Sequence, residues 1–344
     1  MELDYPHLDE ILEKTLVVGV RLRTPFRGVT LREVMLIQGT QGPGEWAAFL
    51  EYSDEVAARW LLSALEQAFG HGVATPASSL THIPVNATFP ALDLEQIPFW
   101  WSHFSGCQSA KIKVGEPGQS LTEDVERVRV LRDAVGPEVK IRLDVNARWG
   151  LDQAEAAILA FHELDIDYVE QPVASVGKMV KLKRRLAGTG IRLAADELIR
   201  QNHALTAVID RGAADIAVLK TSPLGGVRRT LSLADEAHGA GLEVVISSAL
   251  ETSVGLSWGI RTAALLTERW GAIPDSGLGT AVFLTHDVVR KPLLVDSGRV
   301  AVSDPVLDFE AINAVKASAE RTAWWQDRLR RCYPLALEML ENQR

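Results

Sequence analysis

Five ionisable residues, Lys113, Asp144, Glu170, Asp196 and Lys220, recur down the middle of the 344-residue chain at gaps of 31, 26, 26 and 24 residues. Each closes a short apolar run rich in β-branched residues, and each run is followed by a helical pattern. The runs are KIKV (111–114), VKIRLDVN (139–146), DYVEQP (167–172), IRLAADE (191–197) and DIAVLK (215–220). A repeat of strand, loop and helix at this period specifies a parallel βα array. Charged side chains at the carboxyl ends of successive barrel strands face one mouth. Three carboxylates flanked by lysines in one mouth make an active site.

The first 80 or so residues break this rhythm. VVGVRLRTPFRGVTLREVMLIQG (17–39) alternates like two antiparallel strands that turn near Pro25–Gly28. SDEVAARWLLSALEQAFG (53–70) reads as a helix capped by Ser53 and stopped by Gly70. Strands followed by a helix predict a small α+β cap over 1–83. The barrel is expected over 84–285, and a helical segment over 286–344 is expected to pack back on the cap. Helices are predicted over 120–137, 152–164, 175–187, 202–211, 227–238 and 254–267. Strands at 243–248 and 270–276 bring the barrel to eight. The helix after its first strand is poorly marked, because Pro98 interrupts it.

A hydrophobic content of 47% supports a large core, and 24% charge is ordinary for a globular chain. The net charge of −9 argues against nucleic acid or an anionic membrane as the partner, but leaves a small anionic substrate open. Two cysteines, Cys107 and Cys332, give no disulfide framework and fit a reducing compartment. The opening MELDYPHLDEIL lacks the basic and apolar parts of a signal peptide. No uncharged apolar stretch approaches the roughly 18 residues of a membrane span. A cytoplasmic location is expected.

Asp144, Glu170 and Asp196 end successive strands about 4.8 Å apart, close enough to converge on one ion. Oxygen donors without Cys or His select Mg²⁺, or next Mn²⁺. Singly, each carboxylate reads equally well as the start of a loop or a helix cap; three in register favour a metal site. Lys111 and Lys113 lie two apart and point to one side. Burying both depresses at least one pKa, as a general base requires. Lys220 faces them across the carboxylates. Asn146 shares the side of Asp144 and either bonds the metal site or stabilises a turn. Arg142 is either a supporting residue of the site or an interior barrel residue. Glu197 is expected to point away and be structural. Ser247 and Ser248 end the seventh strand and are placed to donate to a substrate carboxylate. PLGG (223–226) and DSGLGT (275–280) are glycine-rich loops, a weak sign of a phosphate cradle. His162, His203 and His238 fall in helical patterns as surface or packing residues.

KIK (111–113), the Asp of DVN (144–146), the Glu of EQP (170–172), the Asp of ADE (195–197) and Lys220 are together similar to the motif of the enolase superfamily, in its muconate-lactonizing-enzyme-like branch. The resemblance covers essentially the whole chain and implies an α/β architecture: a (β/α)7β TIM-like barrel with an α+β capping domain. The Lys-x-Lys and the lysine at 220 set the chain apart from enolase and from mandelate-racemase-like members. Within the branch, the short length, SPLGG after Lys220 and SSALETSVG (247–255) resemble the o-succinylbenzoate synthases of menaquinone biosynthesis.

That resemblance implies an Mg²⁺-dependent lyase, with Mn²⁺ as the other metal, performing a syn dehydration of 2-succinyl-6-hydroxy-2,4-cyclohexadiene-1-carboxylate. By resemblance, Lys113 abstracts the α-proton and returns it to the departing hydroxyl. Lys111 lowers the pKa of Lys113, Lys220 holds a cation against the enediolate, and Thr24–Arg27 close over the substrate. Cycloisomerases, dipeptide epimerases and N-acylamino-acid racemases share the residue set and stand as the alternative. A non-catalytic barrel has no need of matched acids and bases.

Overall fold

The computed structural model describes residues 5–77, 79–200 and 204–342. Strands β1 (Thr15–Phe26), β2 (Val29–Gln38) and β3 (Pro43–Trp46) form an antiparallel sheet in that order. The β1–β2 turn is Arg27–Gly28, with φ of 55° and 78°. Two positive φ angles in a two-residue loop match the twist of the strands they join. The helix Asp54–Phe69 buries Ala57, Trp60, Leu61, Ala64 and Ala68, a stripe of helical period, against the sheet. The carboxyl-terminal helix Ala319–Glu341 covers that helix and the sheet. Trp325 meets Trp46 edge-on at 5.2 Å, and Arg328 spends its guanidinium on the carbonyls of Ala48, Phe49 and Tyr52.

The barrel strands follow. After β4 (His82–Pro84) come β5 (Ala87–Phe89), β6 (Ser109–Lys113), β7 (Lys140–Asp144), β8 (Ile166–Glu170), β9 (Arg192–Ala195), β10 (Ile216–Lys220) and β11 (Glu243–Ser247). The seven from β5 to β11 pair in parallel and in chain order. Parallel bridges Val85↔Ser276 and Ser247↔Gly277 close the sheet on itself. The eighth strand expected at 270–276 is reduced to these two bridges. Trp270 belongs to the helix Ser253–Trp270, Gly271 turns at φ 83°, and Pro274 has no N–H to offer. A Cβ on Gly277 would lie 2.5 Å from Ser247 Oγ and 3.1 Å from its Cβ, so the closing contact is a close approach of the two segments.

Helix boundaries otherwise follow the sequence. Leu121–Val135 starts in a Ser120/Glu123 capping box. Pro98 sits in the first turn of the short helix Ile97–Trp101, where its missing N–H costs nothing. The helix expected over 202–211 is described from Ala204 to Asp210, and His203 lies outside the described residues. No described helix is long and apolar enough to cross a membrane. Beyond the barrel, Leu293 and Val300, the latter in β12 (Arg299–Ala301) paired with β4, join the barrel core. Val288, Val289 and Ile312 pack against Val18 and Val20 of β1.

Two buried cap carboxylates fasten cap to barrel by capping barrel helices. Glu66 accepts from the N–H groups of Val227 and Arg228, at the start of Val227–Gly239. Gly226 makes room for it: a Cβ there would lie 2.2 Å from Glu66 Oε2. Glu45 accepts from Thr252 N at 3.0 Å, from Gly255 N at 2.8 Å and from the Thr252 hydroxyl, at the start of Ser253–Trp270. A negative charge is favoured at each helix N-terminus.

Burial nevertheless pushes the Glu45 carboxyl up to about 8, with Glu251 adding and the Thr252, Gly255 and Arg32 interactions opposing. Its folded pKa therefore exceeds its ordinary 4.5. The folded state binds the extra proton, so this stabilisation is complete below about pH 4.5 and is lost as pH rises through about 8. Urea unfolding should show stability falling over that window with a slope of up to about 1.4 kcal/mol per pH unit from this group. Glu45→Gln, which cannot ionise, should flatten the dependence; equal slopes in both proteins would refute it.

Candidate active site

Register sets Lys113 beside Asp144, Asp144 beside Glu170, and Lys220 beside Ser247. Asp196 lies two residues beyond Ala194, the strand partner of Glu170, and its side chain rather than its register brings it to Lys220. Side chains two apart on a strand share a face, so Lys111, Arg142 and Tyr168, themselves in register, form the layer beneath.

All six charged ladder side chains are buried, and each finds an opposite charge. Lys111 Nζ donates to both Glu170 oxygens, at 3.2 and 2.9 Å, and lies 3.8 Å from Asp144 Oδ2. Lys113 Nζ donates to Asp144 Oδ2 at 2.6 Å and to Asn146 Oδ1. Lys220 Nζ donates to Asp196 Oδ2 at 2.6 Å. Arg200 Nε stands 3.1 Å from Asp196 Oδ1, out of line for a hydrogen bond.

These neighbours split the protonation behaviour. Burial disfavours the Lys111 ammonium, but Glu170 and Asp144 outweigh it and raise its pKa. For Lys113 burial prevails: it lowers the pKa, with the Arg27 and Lys111 charges acting the same way against Asp144. Burial raises the carboxylates too. Lys113, Lys111 and Lys220 override this at Asp144 and bring it to about 2, and Arg200 and Lys220 override it at Asp196. Glu170 stays up at about 7, because burial and the Asp144 and Asp196 charges exceed the help of Lys111 and Lys220.

A narrow cavity of about 30 Å³ opens onto this layer, lined from the barrel by Lys111, Lys113, Asp144, Lys220 and Ser247–Leu250, and from the cap by Phe26, Arg27 and Phe49. Lys113 Nζ lies 5.2 Å from the Phe26 ring centre. Ser247 and Ser248 both reach the wall, Ser248 sharing a hydrogen bond with Thr280 at 2.8 Å.

Several expectations need revision. Thr24 does not line the cavity; Phe26, two residues on along the same strand face, does. Asn146 is not on the wall either. Its Oδ1 accepts from Lys113 and its Nδ2 donates to Glu197 Oε1 at 3.0 Å, so it orients a lysine. Glu197 turns toward the site, held by Asn146 and by Arg200 at 2.6 Å. It opens the short helix Glu197–Arg200, and strand alternation ends there. Arg142 is an interior residue, bonded to Asp167, Asn86 Oδ1 and the Asp275 carbonyl. The helix start after PLGG is filled by Glu66, and DSGLGT supplies the barrel closure. His238 stacks on Trp270 at 4.1 Å. Phe49 and Arg200 carry no strand periodicity, because Phe49 lies past the end of β3 and Arg200 in the short helix that follows β9.

A divalent ion suits this donor set chemically. The donors are oxygen only, Asp196 Oδ1 is buried without a hydrogen-bond partner, and Glu170 is short of positive charge. Among the described residues no three acidic, His or Cys side chains already converge tightly enough to chelate one. The lysines lie against these carboxylates, because buried carboxylates require a counter-charge.

Residues 102–306 match the family of enolase C-terminal domain-like sequences, and residues 17–68 match the enolase N-terminal domain-like family. The o-succinylbenzoate synthase of Mycobacterium marinum is 43% identical over 95% of this chain and 96% of its own length. That of Mycolicibacterium smegmatis is 42% identical over 96% and 98%. The chain belongs to the enolase superfamily. Its family there is that of the o-succinylbenzoate synthases. The superfamily fold is shared with the Pseudomonas fluorescens muconate lactonizing enzyme (TM-score 0.73, 22% identity, 88% of this chain and 98% of that one). It is shared equally with the Bacillus cereus N-succinyl Arg/Lys racemase (TM-score 0.70, 20% identity, 88% and 97%). Members of the enolase superfamily are generally divalent-metal dependent.

The pairing within the layer has a direct consequence. Lys111→Met would leave Glu170 buried without its closest cation. In chelator, this variant should lose about 3–5 kcal/mol of stability relative to the parent. A loss under about 1 kcal/mol would show that Glu170 is satisfied some other way.

Proposed function

We propose that the chain is a carbon–oxygen lyase that dehydrates 2-succinyl-6-hydroxy-2,4-cyclohexadiene-1-carboxylate to o-succinylbenzoate, a step of menaquinone biosynthesis. The observation that carries this is identity of 40–43% over 95–96% of the chain to o-succinylbenzoate synthases, joined to a cavity lined by Lys113, Lys220 and Asp144, with Glu170 and Asp196 paired to lysines of the same lining.

In this reading Asp144, Glu170 and Asp196 hold one divalent ion, Mg²⁺ before Mn²⁺. When bound, the ion acts as a Lewis acid toward the substrate carboxylate and so acidifies its α-proton. The small anionic substrate enters the cavity with its α-carbon toward Lys113. Burial, Arg27 and Lys111 depress the Lys113 pKa, which favours the free amine that a base must present. Lys113 Nζ takes the α-proton; the same nitrogen, now an ammonium, gives that proton to the hydroxyl leaving from the same face. One C–H and one C–O bond break, the ring becomes aromatic and water departs. Lys220 keeps its charge throughout and stabilises the negative charge that develops. Asn146 aims Lys113, and Phe26 shields it from water.

Lys113→Ala should abolish turnover, while Glu170→Gln should lower both metal affinity and turnover with the fold intact. Loss of the cyclohexadiene absorbance and calorimetric Mg²⁺ titration check these outcomes. Full activity in excess chelator would overturn the metal assignment.

Two lysines lining one cavity also meet the requirement for two-base racemisation. Lys220→Arg should keep more dehydratase activity than Lys220→Ala, because only a charge is required there. In D₂O, N-succinylamino acids should show little α-proton exchange. Rapid exchange of both enantiomers without dehydration would establish the racemase instead.

A further inference from the structure

The cavity has a wall from each domain, and one cap guanidinium is bonded to both. Arg32, on β2, is only 2% exposed. Its Nε donates to the Leu250 carbonyl at 3.0 Å, and its Nη2 reaches the Ala249 carbonyl at 3.4 Å and the Ala47 carbonyl. The guanidinium carbon lies 4.3 Å from the centre of the Phe49 ring. Phe49 lines the cavity from the cap, and Ala249 and Leu250 line it from the barrel. Leu250 sits at φ 65°, a left-handed conformation that a bulky residue holds only where its surroundings fix it. Ala249 N is taken by Glu251 Oε2 at 2.6 Å, and Thr252 N by Glu45 of the cap.

Resting on the dehydratase reading, we infer that Arg32 is a positioning residue that sets the width of the substrate cavity and so its selectivity among acyl carboxylates. The planar fork is what suits it to the task. It offers parallel donors to two successive carbonyls while its face stacks on the phenyl ring, which a lysine ammonium cannot do. The distance between the two walls is thereby fixed by one rigid group. Arg32 touches neither the ladder nor the cavity interior, so its effect falls on substrate binding more than on proton transfer.

The test uses the full-length protein with Mg²⁺ and compares Arg32→Lys and Arg32→Met with the parent. Two readouts are taken: steady-state dehydration kinetics, and hydrogen–deuterium exchange of peptides spanning 247–252. Expected are a KM raised roughly tenfold or more, the factor expected for a lost charged hydrogen bond, with a smaller fall in kcat. Exchange over 247–252 should quicken while that of the barrel strands stays as it was. Arg32→Lys, which keeps the charge and the fold more securely, should show the same pattern in weaker form. A lowered melting temperature with unchanged KM and unchanged exchange over 247–252 would overturn the inference and leave Arg32 a packing residue. If the parent itself fails to dehydrate the cyclohexadiene, the functional reading falls, and the exchange result alone decides whether Arg32 holds the wall.

Discussion

Everything at the mouth of this barrel follows from three carboxylates and three ammonium groups held out of water together. No such group is stable there alone, since removing a charge from water costs several kcal/mol that only a close opposite charge offsets. Lys111 on Glu170, Lys113 on Asp144 and Lys220 on Asp196 are that offset. The same pairing makes the layer chemically uneven. Asp144 and Asp196 remain firmly ionised, Glu170 is left short of positive charge, and Lys113 is the lysine whose charge is disfavoured. A site that holds one carboxylate raised by burial and one weakened ammonium is prepared for a cation and for a base.

The cap completes this layer from above. Burial alone would weld cap to barrel, but the contacts are placed at functional loops. Glu66 sits at the start of the helix that follows the Lys220 strand, and Glu45 at the start of the helix that follows the Ser247 strand. The domain interface therefore fixes the βα loops that follow Lys220 and Ser247, while Phe26, Arg27 and Phe49 line the cavity from the cap. The expensive part of the arrangement is Glu45, a carboxylate whose burial outweighs its three hydrogen bonds.

The ladder was legible because strands expose a period of two and a βα unit a period near 25, so residues that end five apolar runs must share one rim. Helix starts were legible for the same local reason, as at Ser120 with Glu123. Asn146 and Glu197 were harder. Both lie just past a strand end, where alternation no longer fixes direction, and their partners are Lys113 and Arg200. The eighth strand was overread: an apolar, β-prone stretch at 270–276 gives way to a helix end, a glycine turn and a proline, and two bridges suffice to close the barrel.

The sequence by itself determined the parallel barrel, the cap before it and the identity of the charged layer, because each depends on local periodicity and on chemistry carried by single side chains. Only the tertiary structure decided which lysine answers which carboxylate, which cap residues line the cavity, and that Arg32 reaches the carbonyls of Ala249 and Leu250, 217 and 218 residues away along the chain. Those pairings join segments with no periodic relation to one another. They are set by how two separately packed cores come to rest together, and no local pattern encodes that.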